Sequence, residues 1–261
     1  MSIYKPVRAL ERGLAVLRAA NTLAEPTVDA IAKETRLSWP TTFRLLETLE
    51  MAGYLYRHET AKTFRPTISA RALGEGFTQD TWIAQIASPE IGRLSRKLVW
   101  PVDLMIFSAD AMLIVETTHR SSPLSIDRNM IGRRLPILGT SAGRCYLGFV
   151  PPRARAALLQ RLAKKRDEEG AMARKRKSVA ALVRKVQDDG YGTREGGLFP
   201  HTRSIAVPVR REGKVIACIS VIWMTSAVSL SEGINSFLAP LRACSSRIEE
   251  QISRLSQQNK L

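Results

Sequence analysis

The sequence predicts an α+β chain of two domains, and three observations carry that expectation. Its 261 residues exceed the size of one small domain. Residues 28–67 read as helix, tight turn, helix and a short strand pair. Beyond residue 99, paired runs of β-forming residues alternate with helical periodicity, the texture of an antiparallel sheet with flanking helices.

Taken in order, Val7, Leu10, Leu14 and Leu17 are spaced as the apolar stripe of a first helix, which the reading packs beneath the next two with Arg8 and Arg12 outward. Val28, Ile31 and Ala32 mark a second helix. The third runs from Trp39 to Leu49. Ser38 is placed to accept from its free amides, Pro40 fits the first turn where no donor is needed, and Gly53 stops it. Phe43, Leu45, Leu46 and Leu49 form its apolar side, leaving Thr41, Thr42, Arg44 and Thr48 for another face near the N-terminal end. Helix, turn and helix of this kind place that end against base edges in the major groove of duplex DNA. Tyr54–Arg57 and Thr63–Thr67 then read as a β-hairpin wing able to lay Arg57, Lys62 or Arg65 on phosphates. The expected DNA-contacting set is Thr41, Thr42 and Arg44 on bases, with Ser38, Arg8, Arg57 and Lys62 on phosphate.

Residues 68–81 form the expected linker helix, weakened by Gly74 and Gly76, through which the domains would couple. Residues 82–261 form the second domain. It opens with an amphipathic helix from Ile83 to Leu98, interrupted by Pro89, followed by a hairpin of Val102–Ser108 and Met112–Thr118. Helices are expected over 141–150, 154–163 and 178–188, then a hairpin of Ser204–Arg210 and Lys214–Met224. The last helix spans Glu232–Ser256 with Pro240 bending it.

The net charge of +16 favours a polyanionic partner, nucleic acid before membrane. Its distribution is uneven. Residues 1–80 hold 11 cations and 9 carboxylates, whereas residues 153–185 hold 12 against 3. Charge runs beside helical patterns are usually solvated faces, so the motif rather than the charge locates DNA contact. Cys145, Cys218 and Cys244 have neither metal-ligand nor disulfide spacing, and read as reduced buried thiols of a cytoplasmic protein. The N-terminus lacks the apolar core of a signal peptide. The uncharged run from Val215 to Leu230 is too short to span a membrane and suits a buried strand. His58, His119 and His201 have no local partner pattern for nucleophilic catalysis, and no phosphate-binding glycine loop occurs. No cofactor is expected. Two alternatives remain at this point, a small-molecule-binding enzyme of an aromatic acid pathway and a non-specific nucleic-acid-binding protein.

The winged helix-turn-helix, the short linker helix, Gly132-Arg133-Arg134-Leu135-Pro136-Ile137-Leu138-Gly139-Thr140-Ser141-Ala142-Gly143 and Arg203-Ser204-Ile205-Ala206-Val207-Pro208-Val209 leading into Val215–Val221 stand in one order. In that order they resemble the IclR family of bacterial transcriptional regulators across nearly the whole chain. Within it, Val99-Trp100-Pro101, Gly132–Pro136 and Glu116-Thr117-Thr118-His119-Arg120 are most similar to the MhpR-type activators of phenylpropionate catabolism. The resemblance implies a homodimer or homotetramer on double-stranded promoter DNA, touching RNA polymerase if an activator, and responding to a small carboxylic acid, preferably aromatic. By segment matching it places the effector at Ser141, Ala142, Arg194, Ser204, Ser220 and Ile222. The amides at the start of a helix at Thr140-Ser141-Ala142-Gly143 suit a carboxylate independently of the resemblance. Arg194 falls where a related glyoxylate-type sensor has an acidic residue and Ile222 where it has a serine, a change that favours a larger aromatic acid. Trp223, Phe107 and Met105 are candidate ring contacts, with ordinary core the preferred role. Arg133, Arg134 and Arg144 are further carboxylate partners to consider, and His119 and Arg120 could line the pocket, although a structural or exposed histidine is the preferred reading.

Overall fold

The computed structural model describes residues 6–73, 82–127 and 130–258. The chain divides into two compact units, Met1–Thr78 and Gln79–Leu261.

In the first unit α1 (Arg8–Thr22), α2 (Val28–Thr35) and α3 (Trp39–Met51) precede an antiparallel hairpin of β1 (Leu55–His58) and β2 (Thr63–Pro66), and α4 (Ile68–Ala72) follows. Local chemistry sets the boundaries. The Thr27 hydroxyl caps α2 by accepting from Ala30 N, and Arg36 ends it in the left-handed region at φ 56°. Gly53, at φ 77°, closes α3 with Gly53 N donating to Glu50 O and Tyr54 N to Leu49 O. The core is Val16, Ala19, Ala20, Ile31, Leu46, Leu55 and Phe64.

That core corrects the expectation for α1. Val7, Leu10 and Leu14 are 67, 62 and 56% exposed, and the buried stripe is Val16, Ala19 and Ala20. The helix carries two apolar stripes on roughly opposite sides, and the one with small side chains lets α2 and α3 approach. Of the expected linker helix only Ile68–Ala72 is seen, and Gly74 and Gly76 lie outside the described residues.

The second unit is a six-stranded antiparallel sheet between two helical layers. A wide helical turn (Ile83–Ala87) leads into α5 (Ser88–Leu98). The widening answers Pro89, which has no amide to donate back to Gln85. Then come β3 (Val102–Ser108), β4 (Ala111–Thr117), β5 (Arg134–Pro136), α6 (Ser141–Phe149), α7 (Pro152–Ala163), α8 (Glu168–Arg174) and α9 (Arg176–Asp189). Next are β6 (Gly192–Glu195), β7 (Thr202–Arg211), β8 (Lys214–Met224) and α10 (Leu230–Gln258), which runs through Pro240. The strand order is β5-β4-β3-β8-β7-β6. Both expected hairpins are present, while β5, β6 and α8 had no counterpart in the sequence reading.

Side-chain alternation sorts the sheet into two faces. Val102, Leu104, Ile205, Val207, Ile219, Val221 and Trp223 join α5 and α10 in one core. Met105, Met112, Ile114, Ala206 and Cys218 join α6, α7 and α9 in the other. Trp223 is therefore an ordinary core residue, with Nε1 donating to Val228 O and the ring edge-on to Phe237. Among the described residues no helix is long and apolar enough to cross a membrane.

Two glycines bring α6 into backbone contact with its surroundings. A Cβ on Gly143 would lie 2.2 Å from Ile137 O, and one on Gly192 would lie 2.3 Å from Ser141 O. Gly192→Ala should therefore push β6 from the start of α6 and lower stability by about 1–3 kcal/mol. Urea unfolding followed by tryptophan fluorescence would measure it, and an unchanged midpoint would show that the two backbones separate freely.

Candidate functional site

The first unit offers a reading helix and a wing. Arg44 is exposed on α3 in a stripe with Pro40, Thr48 and Met51, and Thr41 is half-buried at its edge. Ser38 precedes α3, but its hydroxyl lies 2.8 Å from Thr41 Oγ1 and makes no bond to a helix amide, which corrects its expected capping role. Thr42 is a second correction. It is 0% exposed, and its hydroxyl donates to Ser38 O. Thr42 shares a face with Leu46 four residues on, so the phase of α3 turns it into the core despite its polar chemistry. A base contact at Thr42 is excluded unless this domain repacks.

Arg8 is exposed at the start of α1, and Arg57 and Lys62 are exposed on the wing. The Arg57 guanidinium lies 6.0 Å and 5.7 Å from the ring centroids of Phe43 and Phe64, so the aromatic faces position it while its edges remain open to a phosphate. Arg65 spends one amino group on Ala24 O. Trp39, expected only as the first residue of α3, has a further place here. It stacks on Phe43 at 5.1 Å and remains half exposed at the reading end of α3. The i, i+4 spacing of Trp39 and Phe43 was the available signal.

In the second unit a cavity lies between α6 and the sheet, on the face away from α10. Ser141, Ala142, Arg194, Ser204, Ser220 and Ile222 all line it, together with Asp103, Met105, His119, Asp127 and Phe199. It holds about 380 Å³ of atom-free space out to its mouth.

The register explains the grouping. Arg194 on β6 pairs with Ser204 on β7, Ser204 with Ile222 on β8, and neighbouring Ser220 with Asp103 on β3. Thr140 caps α6 by accepting from Gly143 N, and the Ser141 hydroxyl reaches Ser204 Oγ at 2.8 Å, so the helix start lies over β7. The amides of Ser141 and Ala142 head this helix, where an anion is stabilised.

Arg194 is 3% exposed, and no carboxylate among the described residues lies within 4 Å of it. Nη1 donates to the carbonyl oxygens of Gly196, Phe199 and Thr202, and Nη2 to Thr202 Oγ1. Burial, then the neighbouring Arg144 charge, pushes its pKa down to about 10, with Asp127 acting the other way. It stays a cation at neutral pH. Holding the 196–202 loop, it brings Phe199 over the cavity, its guanidinium 5.4 Å from that ring.

The other basic candidates lie elsewhere. Arg144 is held by Leu138 O and Thr193 O, Arg134 by Ser108 and Asp110, and neither they nor Arg120 and Arg133 line the cavity. Phe107 stacks on Tyr146 at 4.6 Å outside it, whereas Met105 is in its wall. His119 is buried rather than exposed, bonded to Ser125 through Nδ1, and part of the lining. Asp103, Asp127 and Phe199 went unrecognised because each comes from a segment that carries no motif of its own. No group of three His, Cys, Asp or Glu placed to hold a metal occurs among the described residues.

Known proteins share both halves of this architecture. The family profile described as the IclR helix-turn-helix domain matches residues 9–59, and that described as the bacterial transcriptional regulator IclR C-terminal matches residues 76–250. The transcriptional regulator KdgR of Escherichia coli K12 is 24% identical over 238 residues, covering 91% of this chain and 89% of its own length. A solved transcriptional regulator of a Rhodococcus species is 26% identical, with TM-score 0.66 over 96% of this chain and 100% of that one. An IclR homologue of Microbacterium hydrocarbonoxydans, solved with 4-hydroxybenzoate, has the same fold at 20% identity and TM-score 0.63, covering 94% and 99% of the two chains. These proteins are regulators, which removes the enzyme alternative. With one profile on the reading helix and the other on the cavity-bearing domain, the chain belongs to the IclR family of bacterial transcriptional regulators.

Proposed function

We propose that the cavity takes a small carboxylic acid, aromatic by preference, and that the protein controls a catabolic promoter for acids of that kind, the MhpR-type reading. One observation carries it. A buried guanidinium without a carboxylate in ion-pair range among the described residues shares a cavity with the start of α6, an arrangement completed by an anion. Met105, Phe199, Leu135 and Ile222 supply apolar surface for a ring. The 4-hydroxybenzoate on the Microbacterium homologue is in keeping with an aromatic acid in this fold.

On the DNA side, Arg44 and Thr41 are the base-reading residues of the proposal, with Ser38, Arg8, Arg57 and Lys62 on phosphate. The exposed stripe of Val7, Leu10 and Leu14 is an apolar face that a second copy of the chain would cover, supporting a homodimer or a larger assembly of dimers. Contact with RNA polymerase follows if the protein activates.

Arg44→Ala should weaken operator binding by about 1–3 kcal/mol and lose sequence preference, in fluorescence anisotropy on specific and random duplexes. Equal weakening on both would make Arg44 a phosphate contact. Thr42→Val should keep the operator preference and alter only stability. For the cavity, Arg194→Ala should weaken aromatic acid binding by about 2 kcal/mol or more in calorimetry, and leave operator affinity without acid within about twofold. Unaltered acid affinity would remove Arg194 from the site.

A further inference from the structure

The basic stretch of 153–185 divides into cations that hold the fold and cations that do not. Arg155, Arg161 and Arg174 donate to backbone carbonyl oxygens, Lys165 pairs with Asp110 and Glu169, and Lys185 pairs with Asp189. The others are exposed, Arg153 at the start of α7 and Lys164, Arg166, Lys175, Arg176, Lys177 and Arg184 further along, and none makes a salt bridge among the described residues. The carboxylates of the stretch are largely occupied. Asp167 caps α8 by accepting from Gly170 N, and buried Glu169 accepts from Leu138 N and Lys165, which leaves Glu168.

The fold gathers the unpaired cations. Arg174 Nη1 donates to Ala163 O and Lys165 O, so the end of α8 lies on the end of α7 and brings Lys164 and Arg166 close to Lys175, Arg176 and Lys177. A Cβ on Gly170 would lie 2.1 Å from Lys165 O, which shows how tightly the two helices meet. Lys177, Ala181 and Arg184 then form an outward stripe of α9, opposite the buried Val179, Val183 and Val186. Lys177 and Arg184 are about 10 Å apart along the axis, and the small Ala180 and Ala181 leave the surface between them open. Folding does not ask for cations here. The first turn of α9 has no acidic residue and no side-chain cap, and the positive end of the helix dipole opposes Arg176 and Lys177. An external anion is what would lower their energy.

We infer that this surface of the effector unit, from the end of α7 to the middle of α9, binds the phosphate backbone of duplex DNA without regard to sequence, as a second DNA contact besides the reading helix and wing. Duplex DNA presents one negative charge per about 1.7 Å of its axis, dense enough to engage several of these side chains together. The chain belongs to a family of DNA-binding regulators, so that polyanion is already at hand. Residues 1–80, with 11 cations and 9 carboxylates, add little net attraction, and the unpaired cations of the second unit supply it. The inference is independent of what the cavity binds.

Fluorescence anisotropy of the full-length protein across a salt series, on operator and random duplexes that extend past the operator, tests it. In the triple variant Lys175→Gln, Arg176→Gln, Lys177→Gln the slope of log affinity against log salt should flatten by about 2–3, and affinity at about 0.1 M salt should fall about tenfold or more on both duplexes alike. Its Tm should stay level or rise, because α9 loses cations at its positive end. A control with the same charge change at the exposed Arg211, Lys214 and Arg254, each to Gln, should keep the native slope to within about one. An unchanged slope in the first variant, equal flattening in the control, or a loss confined to the operator duplex overturns the inference. So does a lower Tm, which would show that these cations serve the fold. Vesicles of phosphatidylserine and phosphatidylcholine provide a rival anionic surface. Capture of the native protein that is lost in the first variant, with its DNA slope unchanged, would assign the patch to a membrane and overturn the DNA assignment.

Discussion

The backbone contact between α6 and its neighbours is the constraint on which the effector unit depends. A helix start can stabilise an anion only where its amides are near the ligand, and side chains of ordinary size would hold α6 away from β6. Gly143 against Ile137 and Gly192 against Ser141 remove that spacing on both sides. Ser141 then reaches Ser204, and Arg144 reaches Thr193 O on β6, which fastens the helix at the same place. The cavity is thus a consequence of how closely a helix and an edge strand pack, and its polar groups are displayed by that packing.

Around this frame the buried Arg194 charge has no carboxylate in ion-pair range among the described residues. Arg194 is solvated by carbonyl oxygens and keeps its charge, which a carboxylate in ion-pair range would have cancelled. The contrast with Glu90 is instructive. That carboxylate, equally buried on the opposite face of the sheet, is held by Arg93, Arg247 and Gln251, and its charge is already paired. Paired buried charges hold elements together, whereas a cation satisfied only by neutral dipoles retains an electrostatic preference for an incoming anion.

Much of this was legible in the sequence because local chemistry announces itself. Gly53, Thr140 and the paired β runs mark boundaries by mechanisms confined to a few residues, and the six cavity positions matched by segment all line one space. What was not legible depends on register and phase. Thr42 looks like a groove contact by composition, but its position four residues before Leu46 assigns it to the core. In α1 the large Leu10 and Leu14 dominate the sequence pattern, whereas Val16, Ala19 and Ala20 pack inward because their small side chains permit a close approach. Asp103 and His119 meet only through the pairing of β3 with β4 and the turn after it. β5, β6 and α8 are short elements whose existence is decided by the sheet and helices they complete.

The same distinction explains the positive charge. In 153–185 a naive reading finds a surface for nucleic acid, yet several of these cations have internal work. Arg155 donates to Leu147 O and Gly148 O in the last turn of α6, and Arg174 to Ala163 O and Lys165 O around the end of α7. Arg161 reaches Ala109 O, and Lys165 joins Asp110 on the β3–β4 turn to Glu169 on α8. Helix C-termini present unpaired carbonyls and partial negative charge, so guanidinium groups collect there for reasons of folding. On the proposed reading, sequence preference for DNA comes from the first unit, whose cations are nearly balanced by carboxylates, so the placement of Arg44 and Arg57 matters more than net charge.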